Sequence, residues 1–266
     1  MENDDGITLV RAANYYAEAE SAAAHILGLV LGNDEGLMPY ISSANVATGF
    51  HAGDPIVLER TVRWAKQYNV AVGAHLGLPD KQGFGRRQMD ITPEELRADT
   101  LYQLGAMDGI LKVYGMKMQH VKPHGILYRM VSEYDKYIDV FLETIKEYES
   151  ELFVMLPPST PAFQKGKDLG LSMIGEALID LSYDDDGNWV IERTKAARSP
   201  ENVAARAVSV AKEKKIATTS GKMIDIDAIT VCIHGDAPNA LDEAKVVRET
   251  LEKNGVSVGN LFEIGR

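Results

Sequence analysis

Short apolar runs alternate along this chain with longer stretches in which apolar residues recur every three or four positions, the period of a helix. Residues 42–50 form the first clear run. Asp54-Pro55 then caps a helix with Ile56, Leu58, Val62 and Ala65 at helical spacing. Val70 to Ala74 reads as the next strand, and Thr92-Pro93-Glu94-Glu95 is a capping box opening a helix through Leu96, Leu101, Leu104 and Leu111. Strands are predicted at 119–122, 152–156, 172–175 and 226–233, and helices over 133–147, 199–214 and 238–253. Tyr183 to Trp189 reads as a hairpin turn with Asp186-Gly187 at its apex, its acidic run a solvated turn rather than a cation site. Strands alternating with helices predict a parallel sheet. Seven or so such units predict an α/β fold closed into an irregular, TIM-like (β/α)7-8 barrel, one domain spanning 1–266.

Candidate chemistry gathers where the strands end. The clusters are Gly49-Phe50-His51-Ala52-Gly53-Asp54, Gly73-Ala74-His75, Lys122-Pro123-His124-Gly125 and His234-Gly235-Asp236, and they hold four of the six histidines. A barrel of this kind builds its active site on the rim at the strands' C-terminal ends, so the clusters predict one composite site. Asp54 either caps its helix or orients His51 as a base. His75 is a rim residue or a satisfied core histidine. In Gly83-Phe84-Gly85-Arg86-Arg87, two arginines on a glycine loop suit bidentate binding of a carboxylate or phosphate, with solvated loop charges as the alternative. Lys122, at a strand end, must snorkel to solvent or sit in a polar cleft, where it could polarise a carbonyl. His124 and Tyr128 add an acid/base group and a hydroxyl donor. His234 and Asp236 repeat the His/Asp pairing of the first cluster. His120 reads as structural, and His25 has no such context.

Charge and composition narrow the partners. A net charge of −11 argues against nucleic acid and anionic membranes but leaves a small anionic substrate open. The single cysteine, Cys232, lies in an apolar run and reads as a buried thiol rather than a nucleophile; it rules out an intrachain disulfide and fits a reducing compartment. No apolar run approaches the roughly 20 residues of a membrane span, and the acidic start lacks a secretory signal's basic region, so a cytoplasmic protein is expected. His51, Asp54, His75, His124 and His234 offer donors that Zn²⁺ or Mn²⁺ accepts. Without a His-x-x-x-His spacing, a divalent metal is weighed as the lesser expectation, and no metal ligand is assigned. Oligomeric state stays open, a homo-oligomer included.

The stretch Ser43-Ala44-Asn45-Val46-Ala47-Thr48-Gly49-Phe50-His51-Ala52-Gly53-Asp54-Pro55 resembles the signature of the LamB/YcsF family, the family of the 5-oxoprolinase A subunit. Val72-Gly73-Ala74-His75, Gly83-Phe84-Gly85-Arg86-Arg87, Val121 to Tyr128 and Val231 to Pro238 resemble further blocks of it. The resemblance implies a barrel related to the glycoside hydrolase/deacetylase superfamily. It also implies ATP-dependent opening of 5-oxoproline to L-glutamate, with ATP consumed by partner subunits and no cofactor in this chain. The expected catalytic set is His51, Asp54, His75, Lys122, His124, His234 and Asp236, with Asn45, Arg86, Arg87 and Tyr128 as substrate contacts. Residues 1–31 depart from the family. Its first strand ends in Asn-x-Asp-x-Gly-Glu, where alignment here places Ala12 or Tyr16, and Glu18 or Glu20 could replace the aspartate only in a rebuilt loop. Thr48, Leu76, Ile126 and Leu181 depart from the family's usual Cys, Pro, Ala and Arg. Two alternatives therefore stay open: a repurposed pocket running another acid/base reaction on a specialised metabolite (isomerisation, cyclisation or bond cleavage), and a non-catalytic paralogue.

Overall fold

A computed structural model describes the backbone of residues 8–13, and residues 33–190 and 197–264 in full. Its elements run β1 (Thr8–Ala13), a helical turn α1 (Asp34–Leu37), β2 (Ser43–Ala47), α2 (Pro55–Gln67), β3 (Ala71–Leu76), α3 (Pro93–Val113), β4 (Met118–Pro123), α4 (Gly125–Glu133) and α5 (Asp135–Tyr148). They continue with β5 (Phe153–Leu156), α6 (Pro161–Asp168), β6 (Ser172–Leu178), α7 (Pro200–Glu213), β7 (Lys215–Ala217), β8 (Met223–Asp225), β9 (Thr230–His234) and α8 (Ala240–Lys253). Seven strands close into a barrel in the order β1-β2-β3-β4-β5-β6-β9, each pair parallel. β1 completes the ring, pairing Val10 with Ser43 of β2 and Thr8 with Thr230 of β9.

Parallel strands covered by helices are buried on both faces, which is why they read as apolar runs rather than alternations. Val46, Val72, Val121, Val154 and Val231 are all fully buried in the core. Because every barrel strand points the same way, all the strand ends that carry histidine meet at one rim. Among the described residues, no helix is long and apolar enough to cross a membrane.

Several boundaries move. The helix expected over 133–147 forms as α5 from Asp135, and a further helix the sequence did not announce, α4, precedes it from Gly125, directly after His124. Ile56, expected on the inner face of α2, is 75% exposed, and Val57 turns inward beside Leu58 and Val62 instead. The strand expected over 226–233 begins only at Thr230, because Ile226 N–H is held by Lys214 O and belongs with the small antiparallel β7–β8 hairpin. The turn at 183–189 forms as expected, closed by a Tyr183–Trp189 bridge. Its acids are spent on the chain itself: Asp184 accepts from Asn188 N–H at 2.9 Å, and Asp185 accepts from Thr218 and Ser220 of the β7–β8 loop.

Candidate active site

Three histidines from neighbouring strands converge at the rim. His75 lies in β3, His124 directly follows β4, and His51 sits in the loop after β2. All three are buried. The His51 and His124 rings stack at 3.9 Å with planes 6° apart, and His75 meets His124 edge-on at 4.9 Å. Two backbone carbonyls set the tautomers. His75 Nδ1–H donates to Lys122 O at 2.9 Å, and His124 Nε2–H donates to Phe84 O at 2.8 Å. A carbonyl only accepts, so the nitrogens left bare in the neutral rings are His75 Nε2 and His124 Nδ1, and these face each other at 3.0 Å. His51 Nδ1 is buried and makes no hydrogen bond. Burial, reinforced by Arg86, lowers the His51 pKa to about 3. Burial first, then the mutual field of the cluster, holds His75 and His124 well below the ordinary histidine value.

Glycine makes this packing possible. A Cβ on Gly77 would lie 2.1 Å from His51 Nδ1. Gly85, at φ +62°, lets the arginine loop fold over the rings: a Cβ there would lie 2.8 Å from His51 Cβ and 3.0 Å from His124 Cδ2.

Beside the imidazoles, Lys122 takes the polar-cleft option. It is 2% exposed, and its Nζ donates to Glu176 Oε1 at 2.6 Å and Cys232 Sγ at 3.0 Å. Glu176 Oε2 accepts from Tyr128 O–H at 2.9 Å, so one carboxylate joins the ammonium to the phenol. Burial opposes the Lys122 charge, and the Glu176 carboxylate against it outweighs burial, raising its pKa above the usual lysine value. Burial, reinforced by Glu176, drives Tyr128 well above the usual phenol value. Cys232 is a buried thiol, pushed up to about 12 chiefly by burial.

Other expected site residues take different partners. His234 pairs with Asp180, not Asp236: Nδ1–H reaches Asp180 Oδ1 at 2.8 Å, and the His234 backbone N–H reaches Oδ2 at 3.0 Å. Asp236 instead holds Arg86 Nη2 at 2.7 Å, both side chains buried. Arg87, half-exposed, points away to an ion pair with the buried Asp80, so its guanidinium already holds a carboxylate of its own chain. Asp54 accepts from Val57 N–H at 2.9 Å as the cap of α2, and no bond joins it to His51. Asn45 and His120 pair by register with Gly73, two residues before His75 on β3; His120 Nε2–H donates to Asn45 Oδ1 at 2.7 Å, a polar layer inside the barrel. Glu18, Glu20 and His25 lie outside the described residues.

His75, Arg86, Lys122, His124, Tyr128 and His234 share one small cavity, walled by Leu178, Leu181 and Trp189. Bare imidazole nitrogens to take up water, a fixed ammonium, a fixed guanidinium and a His–Asp dyad are the parts of a hydrolytic or proton-transfer site. Sequence reasoning passed over Glu176 and Asp180; the available signal was an ionisable residue in and just after the run Ser172–Leu178.

A model described as the LamB/YcsF family matches residues 22–265. A protein of Thermococcus onnurineus named as the A subunit of 5-oxoprolinase is 44% identical over 239 residues, 89% of this chain and 93% of its own. One of the same name from Clostridium beijerinckii is 41% identical over 88% of this chain and 92% of its own. The solved lactam utilization protein of Thermus thermophilus superposes with a TM-score of 0.83 at 34% identity, covering 96% of this chain and all of that one (100%).

Proposed function

The chain belongs to the LamB/YcsF family, and from that premise we propose that it acts as the A subunit of a 5-oxoprolinase, opening the lactam of 5-oxoproline to L-glutamate with partner subunits that consume ATP. The observation that carries this reading is the convergence of bare, neutral imidazole nitrogens beside a buried, carboxylate-held lysine at one small cavity.

The histidine cluster places the attacking water. His234, oriented through Nδ1 by Asp180, takes a proton from that water. The water oxygen bonds to the lactam carbonyl carbon, and the negative charge that develops on the carbonyl oxygen meets the Lys122 ammonium. Glu176 and Cys232 hold that ammonium in place before the reaction, so little reorganisation is needed as the charge grows. The ring C–N bond then breaks, and the nitrogen leaves with the proton returned by His234. Arg86, fixed in the cavity wall by Asp236, faces the substrate carboxylate.

Genetic complementation tests the reading. In a bacterium that retains the partner subunits but lacks its own copy of this one, the chain restores growth on 5-oxoproline as sole nitrogen source, and its His124→Ala variant does not. Failure of the folded wild-type chain to restore growth contradicts the assignment and favours another acid/base reaction in the same pocket.

A further inference from the structure

We propose that His51, His75 and His124 bind one divalent transition-metal ion of the zinc class, with the remaining coordination position open to the cavity. This deepens the hydrolytic reading by naming what holds the water.

The argument rests on geometry. His75 Nε2 and His124 Nδ1 are bare by tautomer and 3.0 Å apart. Two lone pairs aimed at each other in a buried site repel unless a cation or a shared proton lies against them. His51 contributes a third buried nitrogen, and one ligand atom from each ring lies within 4.8 Å of the others. A tetrahedral ion with Zn–N bonds of about 2.0–2.1 Å needs donors about 3.3 Å apart, so the His75–His124 edge is near the required span and a turn of His51 closes the third corner. The outer contacts are those of metal-bound histidine: two of the rings donate their other N–H to a backbone carbonyl, Lys122 O or Phe84 O, fixing orientation and tautomer. An all-imidazole donor set suits zinc, cobalt or nickel and is poor for magnesium or calcium. When bound, such an ion lowers the pKa of water and polarises a carbonyl.

The set escapes local sequence patterns because its members come from three separate strand ends. Residues 51, 75 and 124 meet because β2, β3 and β4 are consecutive neighbours in the barrel.

The test uses the full chain, stripped with a chelator, dialysed and titrated with Zn²⁺ or Co²⁺ alone. The expected result is about one ion per chain by elemental analysis, a raised melting temperature, and a visible Co²⁺ spectrum of four-coordinate intensity. His51→Ala and His124→Ala are each expected to weaken binding at least about 100-fold, the upper range for loss of a supporting contact alone. His234→Ala retains the ion and its spectrum. Should either alanine variant fail to fold, His51→Gln and His124→Gln replace it, with circular dichroism confirming the fold. A folded wild-type chain that takes up no ion at micromolar metal overturns the proposal in favour of a shared proton. So does binding unchanged in the histidine variants. One ion per chain in a protein that never opens 5-oxoproline sustains the metal site and contradicts the function.

Discussion

Lys122 and Glu176 are a buried ion pair at 2.6 Å, each side chain at most 3% exposed. Neither charge has solvent to turn to, so removing one partner strands the other. Glu176→Leu is expected to cost about 3–5 kcal/mol in urea unfolding. The double variant Lys122→Met/Glu176→Leu is expected to recover much of that stability while remaining inactive, because the pair serves the reaction rather than the fold. A single variant as stable as wild type contradicts this. Lys122 was legible in the sequence: a lysine ending an apolar run has few places to go. Glu176 was not, because the run 172–175 reads as finished one residue earlier, whereas β6 continues to Leu178 and carries the carboxylate inside the barrel. The same early ending hid Asp180, so His234 was matched with Asp236, its neighbour in sequence rather than in space.

At the scale of elements, the loop from β3 to α3 folds over the histidines, with Arg86 in the cavity wall and Arg87 turned away to Asp80. Asp80 anchors it, accepting from Gly83 N–H at 2.9 Å and from Arg87, whose hydrogen bond is the main cause of a carboxyl pKa below the usual 3.8. A carboxyl lowered on folding contributes stability above its unfolded pKa and loses it as pH falls through the folded value. Wild type is therefore expected to lose melting temperature relative to Asp80→Asn as pH drops below about 4, the two curves converging there. A constant gap between the curves from pH 7 to pH 3 contradicts the pairing. Strong local signals were readable: the Thr92 capping box forms in full, with Thr92 N–H on Glu95 at 2.7 Å and Glu95 N–H on Thr92 at 3.1 Å. The β7–β8 hairpin was not readable, because three-residue strands with one inward isoleucine apiece, Ile216 and Ile224, leave too little periodicity.

At the scale of the whole molecule, the seven-stranded closure turns four scattered motifs into one site. Consecutive parallel strands usually lie side by side, which is why the composite rim could be anticipated from order alone. Ring stacking, tautomer and the choice of carboxylate partner depend on register and rotamer, and no spacing rule contains them. The central claim is that this rim opens a lactam, and reconstitution tests it most directly. The purified chain is combined with partner subunits, ATP and 5-oxoproline, and glutamate and ADP are measured together. The account predicts glutamate formed in step with ATP consumption, and a loss of about 100-fold or more in glutamate for His234→Ala, whose general acid/base step is worth about 10²–10⁴. ATP-supported assemblies that form no glutamate with the folded wild-type chain, or that form it equally with His234→Ala, contradict it.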